Sequence, residues 1–157
     1  MQNAILFRGA SDLFIAENTI EAPGLHGIAL TLRSLGLVAH QMGDYGQGRA
    51  LHEEGLALAH ALGDKHGVAV SLTGLAGLAV AIGRVEHAVL LAGAADALLR
   101  GLGSVLEPLE RELYDAALGA ARARLKAEMF VALWAEGQAL TLEQAVARAL
   151  DGRSAED

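Results

Sequence analysis

Six histidines are the side chains of this 157-residue sequence best suited to acid–base or metal chemistry near neutral pH. Their spacing argues against both. His52 precedes Glu53 and Glu54, but the residue four positions on is Leu56, so the two-histidine zinc pattern of a helix is missing. His52 and His60 stand about two helical turns apart, too far to share an ion without a third element. His26 and His66 fall at equivalent positions of an internal repeat described below, which points to a shared role at a turn. All six read as solvated or hydrogen-bonded groups, and no metal is expected.

Phosphate and nucleophile chemistry find no better footing. GDYGQG, from Gly43 to Gly48, lacks the spacing and the preceding strand of a dinucleotide fingerprint. No GxxxxGK followed by Ser or Thr occurs, and Ser71 lies in VAVSLTG rather than a GxSxG elbow. The absence of cysteine excludes thiol nucleophiles and a disulfide framework, and fits a reducing cytoplasm. No convergent set of titratable groups emerges, so the chain reads as non-catalytic and without a cofactor.

Composition narrows the partners. A formal charge of −7 argues against direct nucleic-acid contact, which needs a basic stripe to displace counterions. The one basic cluster, Arg122, Arg124 and Lys126, follows an acidic stretch. MQNAILFRGASDLFIAEN has no basic region leading into an unbroken apolar core, so it does not read as a signal peptide. Gly67 to Gly83 carries no charge, yet it is at the lower length limit for a membrane span and lacks Trp, Tyr and Lys anchors. It reads as a core helix, and no membrane partner is expected. Apolar residues make up 53% of the chain while aromatics are 4%, a mass of Ala, Leu and Val suited to helices.

A repeat organises these helices within one domain spanning 1–157. Shifted by forty residues, Gly27 to Gly63 aligns without gaps to Gly67 to Gly103. Gly27/Gly67, Leu32/Leu72, Leu35/Leu75, Ala39/Ala79, Gly43/Gly83, Leu58/Leu98 and Gly63/Gly103 are identical pairs. Ile28, Leu32, Leu35 and Ala39 make one apolar stripe, and Leu51, Leu58 and Leu62 a second. Gly43 and Gly63 supply left-handed stops, with Asp44 and Asp64 as caps for the helices that follow. The same logic predicts helices near 65–82 and 85–102, giving repeats at 27–63 and 67–103. A helix is also predicted over 3–18, carrying Ile5, Leu6, Phe7, Leu13, Phe14 and Ile15 as a cover or a dimer contact.

The tail reads as a three-helix cap over 107–150. Pro108 suits a first turn, with Glu107, Glu110 and Glu112 at the positive end of the dipole and Arg122, Arg124 and Lys126 at the other. A second helix runs from Met129 through Trp134 and ends at Gly137. Thr141 with Gln144 forms a capping box for the last. Such a cap covers the end of an array, and 151–157 is expected to fray.

The small residues inside the helices resemble a tetratricopeptide repeat. Leu32, Leu35, Gly36 and Ala39 match its first-helix signature, Gly48, His52 and Gly55 its second, and GDY its turn. Leu72, Leu75, Ala76 and Ala79 repeat the match, followed by Ala88, Ala92 and Ala95. Leu, Ala and His replace the usual aromatics, and the period is longer. Glu107 to Leu150 is similar to the tail of LuxR-type and related ATPase-coupled bacterial regulators, in which a helical array follows a nucleotide-binding module.

The resemblance implies an all-α array of antiparallel helical hairpins forming a superhelix with C-terminal capping helices. It also implies a concave groove lined by Leu30, Arg33, Leu37, His40 and Gln41, then Val70, Thr73 and Gly77. The first set is mixed polar, and Arg33 can pair with a carboxylate. The second is apolar, so a further helix or a second subunit is an equally good occupant. The expected function is protein or peptide interaction, as an adaptor or as the sensor end of a regulator. A small-molecule effector domain and a homo-oligomerisation module are the alternatives.

Overall fold

Glycine at positions 43, 63, 83 and 103 sets a step of constant length along the chain. The computed structural model describes residues 5–6, 14–15 and 22–151. In it all four glycines adopt the left-handed conformation, with φ of +79°, +70°, +88° and +63°. Each closes the same motif. Gly43 N–H donates to His40 O while Asp44 N–H donates to Ala39 O, and the pattern recurs at Gly63, Gly83 and Gly103. This is the Schellman arrangement, in which glycine avoids the Cβ penalty of the left-handed region.

The helices between these stops are α1 (Ala22–Gln41), α2 (Tyr45–Ala61), α3 (Lys65–Ala81) and α4 (Val85–Leu102). Asp44 accepts from Gln47 N–H at 3.2 Å and Asp64 from Gly67 N–H at 2.9 Å, so both predicted caps form. At α4 the corresponding residue is Arg84, and no side chain caps that helix. Three further helices follow: α5 (Pro108–Arg124), α6 (Ala127–Gln138) and α7 (Leu142–Asp151). Thr141 and Gln144 exchange both bonds of the expected capping box, at 2.9 and 3.1 Å.

The architecture is an all-α array of antiparallel helical hairpins. α1 packs on α2 and α3 on α4, with α2 against α3 joining the two. Between Gly67 and Val80 every residue of α3 is buried, which explains a stretch without charge. No helix among the described residues is long and apolar enough to cross a membrane.

The C-terminal helices disperse around this array. α6 lies along α4, where the first helix of another repeat would sit. Gly93 and Gly137 meet at that crossing. A Cβ on Gly93 would stand 2.6 Å from Trp134 O, and one on Gly137 would strike Leu90 O. Gly137 stands in the last turn of α6, one residue before its end at Gln138, and its further use there is close backbone approach. Gln138 also donates to Asp96 at 2.8 Å, tying α6 to α4. α7 reaches back across α4, α2 and α3, whereas α5 packs on α3 and α4.

The predicted N-terminal helix over 3–18 needs correction. β1 (Ile5–Leu6) and β2 (Phe14–Ile15) pair antiparallel, Ile5 opposite Ile15 and Leu6 opposite Phe14. The apolar residues form two short β-favouring runs, and the intervening sequence carries Gly9, Ser11 and Asp12, residue types of turns. The rest of 3–18, and 152–157 of the tail, lie outside the described residues.

The crossing at Gly137 is testable. Gly137→Ala forces Cβ against backbone that has no cheap way to move, and should lower unfolding free energy by about 3 kcal/mol in urea titration. Gly119→Ala, on open surface in α5, should instead raise it by about 0.5–1 kcal/mol. Equal effects at the two positions would remove the close-approach account.

Candidate functional site

The inner face of α1 is built by residues three and four apart: Arg33, Leu37 and His40. Opposite, α3 contributes Val70, Thr73 and Gly77. All six line one small cavity, together with His52 of α2 and Gly74 of α3. The cavity is about 10 Å³, room for a single water. Leu30, 54% exposed, and Gln41, exposed at the end of α1, are not among its lining residues.

Its roof is α5. Glu110, Leu113 and Tyr114 close the cavity. Further along, Tyr114, Ala117, Leu118 and Ala121 bear on Val80, Ala88 and Ala92. Two bonds fix the helix there: Tyr114 OH donates to Ala92 O and Arg124 Nη1 to Val80 O, each at 3.1 Å. Arg122 lies over the Phe130 ring at 4.8 Å. Both arginines read from sequence as partners of the helix dipole thus have tertiary contacts as well. The apolar half of the expected groove is covered by the chain's own helix.

His52 is the least expected member. It is 1% exposed, and neither ring nitrogen has a hydrogen-bond partner in the protein. Its imidazole lies between Gly36 and Gly74. A Cβ on Gly36 would stand 2.7 Å from Nε2, and one on Gly74 would strike the ring. Gly77 makes similar room for His40, with a Cβ placed 3.1 Å from its Cε1. Burial holds His52 down at about 4, helped by His40 and by Arg33. Burial lowers His40 as well. Both rings are neutral near pH 7, and His52 fills the place of a signature aromatic as a flat spacer.

Arg33 is the charged group of the cavity. It is 8% exposed, and its Nε and Nη1 are buried without a partner. Burial lowers its pKa, while Asp64 and then Glu110 pull it back up. Neither carboxylate is bound to it. Asp64 caps α3, and Glu110 accepts the Glu107 backbone N–H at 3.0 Å at the start of α5.

Sequence reasoning therefore found six lining residues and missed His52, Gly74 and the three from α5. One signal for α5 was present. A helix apolar all round must be covered all round, and flanking neighbours in an array leave the concave side of α3 bare. Leu113, Tyr114, Ala117, Leu118 and Ala121 have the helical spacing to cover it. Among the described residues no three His, Cys, Asp or Glu side chains gather as a metal would require.

Residues 27–95 match the family described as tetratricopeptide repeat. The match covers both hairpins as far as the middle of α4, under half of the chain, and marks that region as tetratricopeptide-like. Repeats of this type generally mediate protein–protein interaction, and folds built from them are typically non-catalytic. No characterised protein and no solved structure matches the chain.

The buried imidazole has a pH consequence. With its pKa held below the unfolded value of 6.5, folding excludes a proton that the unfolded chain binds. Stability contributed by neutral His52 is complete above about pH 6.5 and is lost as pH falls toward 4, on the order of 3 kcal/mol in all. Urea midpoints between pH 7 and 4 should fall more steeply for wild type than for His52→Leu. Parallel curves would mean that the ring is not held neutral by the fold.

Proposed function

We propose that the protein is a protein- or peptide-interaction module that engages its partner at the groove walled by α1 and α3. Within a cell it serves as the sensor or adaptor part of a bacterial transcriptional regulator. The observation that carries the interaction reading is the convergence of Arg33, Leu37, His40, Val70, Thr73 and Gly77 on one cavity, which α5 roofs. The tetratricopeptide match over 27–95 supports it independently. The regulator reading rests on the likeness of Glu107 to Leu150 to regulator tails, and it brings with it a cytoplasmic setting and no direct contact with nucleic acid.

A small-molecule effector fits less well, because the cavity beneath α5 has room for about one water and none for a metabolite. Self-association remains a separate matter of surfaces outside the groove. α1 carries Leu35 and Val38, half exposed, and Met42, just past its end, is 78% exposed.

Site-specific photo-cross-linking in producing cells tests the groove. A cross-linker at Leu30 or Gln41, flanking it at the two ends of the α1 wall, should trap a discrete protein partner. One at Val131, exposed on α6, should not. Equal trapping at all three positions, or none at any, would overturn the assignment of the groove.

A further inference from the structure

A buried guanidinium with free donors is an anomaly, because an unsatisfied charged donor costs more than a neutral one. Arg33 is such a group: nine-tenths buried, at the cavity wall, with Nε and Nη1 unpartnered. Its surroundings do not supply the missing acceptor. The Thr73 hydroxyl, which donates to Val70 O, and the Tyr114 hydroxyl, which donates to Ala92 O, do not accept from Nε or Nη1. The His52 ring is wedged between two glycines. Two carboxylates act on it without bonding to it: Asp64 is taken up as the cap of α3, and Glu110, which lines the cavity, is drawn aside to the Glu107 N–H.

α5 is thus a helix seated in a groove whose charged anchor it approaches with Glu110 but does not hydrogen-bond. Its fit elsewhere is good. Tyr114, Ala117 and Ala121 present a narrow apolar face to α3 and α4, held by two side-chain bonds. The face turned to solvent is charged, with Arg111, Glu112, Asp115 and Arg122 exposed.

We propose that α5 is a displaceable occupant of the groove, and that its competitor is an amphipathic helix of a partner protein whose carboxylate side chain reaches Arg33. This rests on the groove being the interaction surface and names what it recognises. Such a helix repeats the small apolar face of α5 and carries Glu or Asp away from its own N-terminus, where no capping bond diverts the acid. Charge complementarity fixes the register. The carboxylate enters beside Leu37 and His40, and one charge-assisted pair replaces the unsatisfied donors. Since α5 is tethered, it competes at the high effective concentration of a linked segment, so an intruder lacking the acid loses to it.

The probe is a fluorescent peptide with the α5 sequence, residues 107–125, carrying Pro108→Ala so that the helix can continue, and extended by one helical turn at its N-terminus. The extension places Glu110 inside the helix and frees its carboxylate. Anisotropy titration of the full chain should give at least tenfold tighter binding for this peptide than for its Glu110→Gln form. In the Arg33→Met chain the two peptides should bind alike. Hydrogen exchange across residues 108–124 of the protein should accelerate with the acidic peptide and not with the Gln form. Circular dichroism establishes that Arg33→Met is folded. Should that variant fail to fold, Arg33→Lys replaces it and should retain a reduced preference for the acid.

Equal affinity of the two peptides for wild type would overturn the recognition of a carboxylate. Binding without faster exchange in α5 would overturn displacement. Failure of both peptides to bind, while Leu30 and Gln41 still trap a partner, would refute the acidic helix and leave the interaction groove standing.

Discussion

Helix α3 has no polar face, and the rest of the molecule is arranged around that constraint. An uncharged run from Gly67 to Val80 cannot be left to water on any side. Burying each Leu or Val is worth about 1.5–3 kcal/mol, so one uncovered flank would forfeit a large part of a small protein's stability. α2 and α4 cover two sides, as neighbours in any array do. The concave side, left open in a simple stack of hairpins, is taken by α5, and α7 adds a further contact. The polar residues admitted near α3 obey the same rule. Thr73 turns its hydroxyl to its own backbone, and His52 enters as an uncharged ring bedded on glycine.

How much of this could be read beforehand follows from the range of the forces involved. Local chemistry was legible. The glycine stops, the Asp44 and Asp64 caps, the Thr141 box and the boundaries of α4 each depend on residues within one helical turn. That Arg33, Leu37 and His40 share one face of α1, and Val70, Thr73 and Gly77 one face of α3, was legible as well, because helical spacing fixes which side chains share a face. What depended on distant contacts was misread or missed. The close approach of Gly137 to α4 was missed, because nothing in its own helix announces it. Short apolar runs such as Ile5–Leu6 and Phe14–Ile15 do not distinguish helix from strand, and the hairpin pairing is what decides. The placement of α5 required asking what α3 still lacked, a question about the whole fold rather than about either helix.

Arg33 marks where the packing is locally inconsistent. A leucine in its place would suit the walls around it, and the neighbouring carboxylates are engaged elsewhere. Sequences tend to be consistent across local propensity, packing and polar satisfaction, and departures concentrate where a surface has work to do. The same cavity holds the conformational asymmetry of the protein. α1 and α3 are fixed by hairpin partners joined through tight turns, whereas α5 is bound by one narrow face and preceded by a stretch without regular secondary structure, Ser104 to Glu107.

The four left-handed glycines have a meaning beyond the turns they form. Because each junction closes with the same two backbone bonds and falls at a constant interval, any helix of the array hands on to the next in the same way. Length and connection are uncoupled. A duplicated or deleted pair of helices would leave every remaining junction unchanged, and the adjustment would fall on the seam and on the helices α5 and α7 that lie across the array. The chain is in that sense written in a unit of inheritance larger than the residue and smaller than the domain. Its growth by whole hairpins needs no new solution to the problem of turning a helix around.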